Sequence, residues 1–390
     1  MQEISNITHE NVREVNYIKI LQHIKRNDGS TKAELTKYLD VSHTTINSYI
    51  QTLMDEGFVV PSGTADSSGG RKPVILKIEP NARYSFGIRV SPDNVYLILV
   101  NFLGEKIDLV KFPYSGMEDA LIELREHIYE MINRYSIDMD KILGVGMAFP
   151  GLVDMDNLIL EYIPNLNLSN YSLKKFESDL GLRVFPDNEA NAGTYAEYLV
   201  GRDEKLENFV YVSIAEGIGT GIMDDHFLFR GKNKRAGEFG HLKVSDQMVR
   251  CNCGRYGCWE LFASMRALLK DKPESVSEEL YLDRLFKDYD RGDSQAVRRI
   301  ERYVRYLFAG LDVVLLSVDP SVIIIGGDLG DYAKKLIDIG INKLGLTKYF
   351  YGYESVRIIP SNIKSNAALL GAALLPLEQI FRFRYRLNIN

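Results

Sequence analysis

The spacing of apolar residues predicts a helix near the start of the chain. Apolar residues recur every three positions and so share one helix face: Val12, Val15, Ile18, Leu21 and Ile24. The polar sequence Asn-Asp-Gly at 27–29 would end this helix.

Two sequence signals predict further helices directly after the first. Thr31, with Glu34 three residues later, fits a capping box, in which a hydroxyl and a carboxylate satisfy backbone N–H groups at a helix start. Ser42 can cap a third helix in the same way. Residues 58–60 and 74–76 are predicted to be two strands around a polar loop. Three helices followed by a two-stranded wing are the layout of a winged helix-turn-helix domain.

After residue 83 the pattern changes to short β-rich segments, and a similar order occurs twice. The first set contains three strands, a helix and a buried strand: 84–90, 95–101, 106–112, 117–135 and 142–148. The second set is weaker and contains four strands: 209–215, 221–223, 227–229 and 322–325. Two lobes of β-β-β-α-β order would enclose a cleft, and ligands often bind in clefts between domains.

The predicted fold class is therefore α/β, with a winged helix-turn-helix ahead of two lobes. Residues 1–80 would form the DNA-binding domain with its wing and linker. Residues 81–198 would form the first lobe, and residues 199–364 the second lobe, with a cysteine-rich segment and a dimerisation surface. A helix rich in small residues, at about 365–380, would pack closely on a neighbour and complete the first lobe.

Composition narrows the class of protein. A hydrophobic content of 45% and a charged content of 26% over 390 residues are ordinary for a soluble globular protein. No apolar run approaches the length of a membrane span, and the N-terminus lacks the layout of a signal peptide. We therefore expect a cytoplasmic protein without a membrane partner. The net charge of −6 gives no support to nucleic-acid binding by the whole surface, so any DNA contact must be local.

The first turn of the third predicted helix carries candidate DNA contacts. Short polar side chains there can approach base edges in a major groove: His43, Thr44, Thr45, Asn47 and Ser48. The nearly neutral charge of this domain instead favours a small helical interaction domain. The helix spacing and the wing favour DNA binding.

The predicted wing loop supplies two further candidates. Gly69 and Gly70 would let the backbone approach phosphates closely, and Arg71 could enter a minor groove with Lys72 beside it. A simple linker is the alternative interpretation of this loop.

All three cysteines of the chain lie within eight residues, and a histidine precedes them. The set is His241, Cys251, Cys253 and Cys258. Zn²⁺ accepts one imidazole and three thiolates tetrahedrally, which leaves no position for an activated water. One structural zinc per chain is therefore predicted. Buried free thiols and a disulfide are the alternatives, and a cytoplasmic location disfavours the disulfide.

A carboxylate lies near each end of this ligand set. Glu238 precedes His241 by three residues, and Glu260 follows Cys258 by two. A metal that binds both segments would fix the two carboxylates relative to each other. Carboxylates held in a cleft are good acceptors for sugar hydroxyls, although either residue alone is more typical of a surface charge.

These motifs resemble those of the ROK family (repressors, open reading frames and sugar kinases), within the actin-like ATPase and sugar kinase superfamily of RNase H-like fold. The resemblance spans residues of about 10–375 and rests on three stretches: Cys-x-Cys-Gly-x-x-Gly-Cys-x-Glu at 251–260, Gly-Glu-x-Gly-His at 237–241 and Pro-Asp-Asn-Glu-Ala-Asn-Ala at 186–192. It implies a sugar pocket lined by Gly151, Asn188, Glu189, Glu238, His241 and Glu260. His241 would serve both metal and sugar, with one ring nitrogen facing each.

The loop that holds ATP phosphates in kinases of this family differs here. The kinase pattern Asp-x-Gly-Gly-Thr-Lys corresponds to Arg-Val-Ser-Pro-Asp-Asn at 89–94, where Pro92 has no N–H to give a phosphate. A second glycine-rich loop survives at 217–221, and we expect its glycines to serve a tight turn between strands. Glu216 before it would repel a polyphosphate. Glu189 lies where the kinases have their catalytic aspartate, and we expect it to accept a hydrogen bond from sugar.

The resemblance implies a sugar-responsive repressor of carbohydrate-utilisation genes rather than an enzyme. The N-terminal half and the stretch at 188–193 are most similar to xylose-repressor-type members, so D-xylose is the first candidate effector. The wing sequence at 68–73 also resembles that of ROK repressors. A homodimer or dimer of dimers would bind a near-palindromic DNA operator, and a monosaccharide would release it. The alternatives are a ROK-type ATP-dependent sugar kinase with an appended DNA-binding domain and, with less support, a DNA-reading zinc finger.

Overall fold

The computed structural model describes residues 9–64, 72–201, 206–225, 227–347, 356–363 and 366–381. The N-terminal part contains three helices, α1 (His9–Arg26), α2 (Lys32–Leu39) and α3 (His43–Asp55). It also contains three strands, β1 (Ser30–Thr31), β2 (Val59–Thr64) and β3 (Val74–Ile78), paired antiparallel in the order β1-β3-β2. The predicted three helices and two-stranded wing are confirmed, and β1 is an addition to them.

The predicted helix caps of this domain are present. The Thr31 hydroxyl accepts the Glu34 N–H at 3.3 Å while the Glu34 carboxylate accepts the Thr31 N–H at 2.7 Å. The Ser42 hydroxyl accepts the Thr45 N–H at 3.1 Å. Leu21 and Ile24 of the predicted apolar face of α1 are buried. The side chains of its other three members, and the wing loop from 65 to Arg71, lie outside the described residues.

The first lobe is built on a five-stranded sheet. Its strands are β4 (Tyr84–Val90), β5 (Asn94–Asn101), β6 (Lys106–Pro113), β7 (Ile142–Phe149) and β11 (Val184–Asn188), in the order β11-β7-β4-β5-β6. A separate three-stranded sheet contains β8 (Leu152–Asp154), β9 (Ile159–Ile163) and β10 (Leu168–Ser172). The helices are α4 (Met117–Arg134), α5 (Lys174–Leu180) and α6 (Glu189–Ala196). The small sheet has no counterpart in the pattern predicted from sequence.

The second lobe repeats the topology of the first. Its strands are β12 (Phe209–Ile214), β13 (Ile218–Asp224), β14 (Phe227–Leu228), β15 (Val322–Gly327) and β16 (Arg357–Pro360), in the order β14-β13-β12-β15-β16. In both sheets the first three strands pair antiparallel and the last two add in parallel. Its helices are α7 (Glu260–Ala263), α8 (Met265–Leu268), α9 (Glu278–Asp290), α10 (Ser294–Val318) and α11 (Tyr332–Asp338). The predicted two-lobed fold is confirmed.

Of the three glycines at 217–221, Gly217 lies in the turn between β12 and β13 as expected, but the other two do not. Gly219 and Gly221 lie within β13, which begins three residues before the predicted strand, and not in a turn. A Cβ on Gly219 would lie 2.8 Å from the Ala190 Cβ, and one on Gly221 would lie 2.0 Å from the Thr194 hydroxyl oxygen. The glycines therefore allow α6 to pack directly on β13.

The last described helix, α12 (Ala367–Phe381), packs as closely as its small residues predict. A Cβ on Gly371 would lie 1.7 Å from the Ala192 carbonyl oxygen of α6, and Gly146 of β7 makes a similar approach to α12. Leu374 of α12 also belongs to the apolar cluster that contains Leu21 of α1. The helix therefore joins α6, the first sheet and the winged helix-turn-helix. No described helix combines the length and apolar character that a membrane span requires.

We predict that Gly371→Ala destabilises the protein by about 1–3 kcal/mol, because the added methyl overpacks the α6–α12 contact. The sign of the change in unfolding free energy tests the close packing. In a helix without such a contact, Gly→Ala is stabilising by about 1 kcal/mol. Urea unfolding measures the difference, and Ser294→Ala at the exposed start of α10 is the control. A stabilising effect of Gly371→Ala would contradict the close packing.

Candidate functional site

A cavity of about 300 Å³ lies between the two lobes. Its walls come from the segment after β7, the start of α6, the start of β13 and the loops at 230–241 and 252–253. Six of the residues lining it are those that the sequence motifs singled out: Gly151, Asn188, Glu189, Glu238, His241 and Glu260. The fold thus brings together residues that are up to 109 positions apart in the chain.

Asn188 is held by contacts to its own helix and to Gly151. Its side-chain oxygen caps α6 by accepting the Ala190 N–H at 2.8 Å. Its side-chain nitrogen donates to the Gly151 carbonyl at 3.0 Å. A primary amide has two N–H donors and two acceptor lone pairs, so one N–H remains for a ligand in the cavity.

Asp187 orders the same wall of the cavity, a role that the sequence motifs did not indicate. Its side chain is only 3% exposed, and it accepts from the Asn188 N–H at 2.7 Å and from the Asn191 side chain at 3.0 Å. The Arg230 guanidinium from the second lobe donates to its other oxygen at 2.5 Å. This pair is a charged link between the lobes, and both residues line the cavity.

Glu189 begins α6 and lies in a second ion network. Arg89 Nε lies 3.4 Å from Glu189 Oε2, and the two terminal guanidinium nitrogens of Arg89 each lie 3.2 Å from an oxygen of Asp328. Burial raises the pKa of the Glu189 carboxyl, and the positive charge of Arg89 opposes that rise. From the sequence alone, Arg89 is only the first residue of the altered phosphate loop.

The cysteine-rich segment forms a compact set of metal donors. The ligand atoms of His241, Cys251, Cys253 and Cys258 all lie within 4.8 Å of one another, so these residues can hold a metal ion. All three cysteines are free in the structure, so no disulfide joins them there. Two glycines, at 254 and 257, have positive φ angles of 88° and 74° and allow the chain to turn between donors. The donor set fits tetrahedral zinc.

The two carboxylates beside the donor set lie close to it. His241 Nδ1 lies 3.6 Å from Cys251 Sγ, while His241 Nε2 lies 3.8 Å from Glu238 Oε2. The two ring nitrogens therefore face different side chains, Nδ1 towards the cysteine donor and Nε2 towards Glu238. Glu260, at the start of α7, accepts from the Cys251 thiol at 2.8 Å. Both carboxylates therefore lie beside the donor set and line the cavity.

Further contacts link the lobes at the rim of the cavity. Lys234 lies 3.4 Å from Asp154 and also pairs with Asp156. Arg235 lies 3.4 Å from Glu161. The partners belong to the small sheet of the first lobe or to its first turn, whereas Lys234 and Arg235 belong to the second lobe. Sequence reasoning missed these pairs because each joins residues more than seventy positions apart.

The candidate DNA contacts lie together on α3. His43, Thr44, Asn47 and Ser48 are exposed, whereas the half-buried Thr45 shares a hydrogen bond with the Ser42 hydroxyl at 2.8 Å. The Lys32 ammonium of α2 donates to the Asn47 side chain at 2.9 Å, which adds a positive charge beside the predicted DNA contacts. Lys72 is exposed at the start of the described segment after the wing. This surface combines polar side chains with a cation at one helix start.

Two family models match the chain. The model described as the ROK family matches residues 85–379, and the model described as winged helix-turn-helix DNA-binding matches residues 18–60. Together they cover the two lobes, the second half of α1 and the helices α2 and α3.

Curated relatives match most of the chain. A protein of Bacillus subtilis (strain 168) named "Xylose repressor" is 31% identical over 373 residues, which is 94% of this chain and 96% of that protein. The "DNA-binding transcriptional dual regulator NagC" of Escherichia coli (strain K12) is 22% identical and covers 84% of this chain and 83% of its own length. The first relative is named as a repressor and the second as a DNA-binding transcriptional regulator.

Solved structures support the same architecture. A ROK family transcriptional regulator described as a homologue of the E. coli MLC protein has a TM-score of 0.77 at 25% identity, covering 95% of this chain and 97% of its own. A ROK family glucokinase from Streptomyces griseus, solved with glucose and AMPPNP, has a TM-score of 0.63 at 25% identity. It covers 75% of this chain and 98% of its own. The regulator therefore matches over the winged domain as well as the lobes.

We predict that Arg230→Ala destabilises the protein by about 3–5 kcal/mol, because it leaves the buried Asp187 carboxylate without its cationic partner. Arg235→Ala on the same loop is the matched control. Arg235 is 61% exposed and its partner Glu161 is 39% exposed, so the expected loss is about 1 kcal/mol or less. Equal losses from the two variants in urea unfolding would contradict the role assigned to Asp187.

Proposed function

The chain belongs to the ROK family, and on that premise we propose that it is a sugar-responsive, DNA-binding transcriptional repressor. One observation supports this most directly. A winged helix-turn-helix with an exposed polar helix start is joined to a cleft lined by all six residues that the motifs assign to sugar. The similarity to a named xylose repressor along nearly the whole chain supports it further.

The proposed partner of the winged domain is operator DNA. Polar side chains on α3 would reach base edges in the major groove of the DNA. The wing, with Arg71 and Lys72, would contact the phosphate backbone or the minor groove of the DNA. A homodimer or dimer of dimers would place two α3 helices on a near-palindromic site. The half-sites would lie about 34–36 Å apart, or a multiple of that distance. Because the partner is operator DNA, we expect the protein to act in the cytoplasm.

The proposed effector is a monosaccharide in the cleft, with D-xylose as the first candidate because of the named relatives. Glu189, Glu238 and Glu260 would accept hydrogen bonds from its hydroxyls, and Asn188 and His241 would add polar contacts. Sugar releases DNA only if it binds the two lobe arrangements with different affinity. Operator DNA must then weaken sugar binding by the same factor.

Helix packing supplies a route between the two proposed sites. Asn188 and Glu189 lie at the start of α6, and α6 packs on α12 at the Gly371 contact. Leu374 and Leu377 of α12 share an apolar cluster with α1 of the winged domain. A shift of α6 on sugar binding would therefore be transmitted through α12 to the DNA-binding domain.

The same cleft does not favour phosphoryl transfer. Residues 91–94 form a short turn between paired strands, in which the Ser91 hydroxyl accepts the Asn94 N–H at 3.2 Å. Arg89 is engaged by two carboxylates, and Glu216 lies 3.9 Å from Arg266 at the other loop. We propose that no ATP-phosphate site remains. The glucokinase likeness keeps a sugar kinase as the second candidate, which ATP-dependent sugar phosphorylation abolished by Glu189→Gln would establish.

The proposed metal is one structural zinc per chain. His241, Cys251, Cys253 and Cys258 would hold it and fill its tetrahedron, so the ion would supply fixed geometry rather than an activated water. Its effect would be to hold the segments of Glu238 and Glu260 at the cavity. Because His241 also faces Glu238, loss of the metal would loosen the sugar site first.

We predict that the protein binds DNA upstream of its neighbouring genes at low salt and that a monosaccharide, D-xylose first, weakens this binding. Asn47→Ala should weaken specific binding roughly 10- to 100-fold, because it removes a proposed base contact. Gln295→Ala on the exposed start of α10 is the control and should have no effect. Electrophoretic mobility shifts measure both. No DNA binding at low salt, or binding that no pentose or hexose changes, would sink the repressor proposal.

We also predict one zinc per chain by elemental analysis, and its loss in Cys253→Ser. Calorimetry should then show weakened sugar binding, because Glu238 and Glu260 lose their anchor. Ser245→Ala on the same segment should retain both metal and sugar affinity. Unchanged sugar affinity in metal-free protein would contradict the role given to the ion.

A further inference from the structure

The ion network around Arg89 joins a cavity residue to the opposite lobe. We propose that Arg89 is a positioning residue for sugar recognition, which orients the Glu189 carboxylate and ties it to Asp328 of the second lobe. This inference rests on the proposed function of the cavity. It assigns a role to a residue that itself does not line the cavity.

The geometry of Arg89 leaves it little freedom. Its two terminal nitrogens each lie 3.2 Å from one oxygen of Asp328, which is a bidentate arrangement. Its Nε lies 3.4 Å from Glu189 Oε2. Such paired contacts fix the plane of a guanidinium as well as its position. The backbone is equally constrained, because Arg89 pairs with Tyr96 of β5 on one side and Ala148 of β7 on the other.

Glu189 depends on this contact for its orientation and charge. Only Oε2 of its carboxylate contacts Arg89, and Oε1 has no hydrogen-bond partner among the described residues. That second oxygen is available to a ligand, because Glu189 lines the cavity. Burial raises the pKa of this carboxyl, so removal of Arg89 would favour the protonated form, which is a poorer acceptor.

Asp328 makes the orientation of Glu189 depend on the spacing of the lobes. Its backbone N–H donates to the Ile214 carbonyl at 2.8 Å, and the preceding Gly327 N–H donates to the Tyr211 hydroxyl at 2.9 Å. Asp328 is therefore fixed to the second sheet, whereas Arg89 and Glu189 belong to the first lobe. A change in the angle between the lobes would move Asp328 relative to the first lobe. The Arg89 guanidinium, which binds Asp328, would then be displaced, and the Glu189 carboxylate would lose its contact with Arg89.

The relative burial of the two partners predicts which contact matters more. The Asp328 side chain is 42% exposed, so water weakens its attraction to Arg89. The Glu189 side chain is only 16% exposed and Arg89 only 11%, so their attraction is less screened. Loss of the Glu189 contact should therefore weaken sugar binding more than loss of the Asp328 contact.

A double-mutant cycle tests the proposal with D-xylose and D-glucose as calorimetric probes. Arg89→Ala should weaken sugar binding roughly 10- to 100-fold in the native background, and by less than about 3-fold when Glu189 is already Gln. Asp328→Asn should cause a smaller loss than Arg89→Ala. Arg134→Ala is the matched control, because this arginine also pairs with two carboxylates but lies on α4. It should leave the affinity for sugar unchanged.

The outcomes separate this inference from the proposed function. If the native protein binds sugar and Arg89→Ala weakens binding equally in both backgrounds, Arg89 does not act through Glu189 and the inference is wrong while the sensor function stands. If the native protein binds no sugar, both are overturned. Should Arg89→Ala fail to fold, Arg89→Lys takes its place in the cycle. Lys keeps the positive charge but lacks the planar guanidinium that makes paired contacts. A loss of sugar affinity only when Glu189 is present supports the proposal. An equal loss of sugar affinity with Glu189 and with Gln at this position contradicts it.

Discussion

The close packing of α6 against its neighbours is the constraint on which the cavity depends. A side chain at Gly371 of α12, or at Gly221 of β13, would lie 2.0 Å or less from an atom of α6. The helix is therefore held between α12 and a strand of the second lobe. Since its first turn carries Glu189 and its cap is Asn188, the position of this cavity wall depends on packing from both lobes. The same packing reaches the winged domain, because α12 contacts its core.

Short sequence patterns were sufficient to predict the structure of those parts of the molecule whose residues interact with close neighbours in the chain. The caps at Thr31 and Ser42 and the donor set ending at Cys258 involve partners within about a dozen and a half positions, so their spacing alone predicts their geometry. The cavity residues came from short motifs at strand ends and loops, which a two-lobed fold brings to one cleft. Four of the five strands in each large sheet were predicted, because their burial alternates or is continuous over a whole segment. The outer parallel strands, β11 and β16, were not predicted.

Contacts between distant segments were not predictable in this way. The charged links across the cleft join residues 43 to 239 positions apart, and each charge alone is typical of a solvated surface. The glycines of β13 were wrongly interpreted as a turn, because residue spacing cannot show which element packs on a strand. The small sheet at 152–172 was missed since its strands are only three to five residues long.

The distribution of charge in the cleft favours a sensor over a kinase on energetic grounds. Phosphoryl transfer needs cations free to stabilise a developing negative charge. Here Arg230 and Lys234, which line the cavity, are each already paired with a carboxylate. Exposed pairs such as Lys234–Asp156 contribute about 1 kcal/mol or less, so they hold the lobes only weakly. To switch a two-state equilibrium fully, a ligand must bind one state about 10,000-fold more tightly than the other. Neutral sugar hydroxyls could provide part of that preference by hydrogen bonding to carboxylates whose positions depend on the lobe angle.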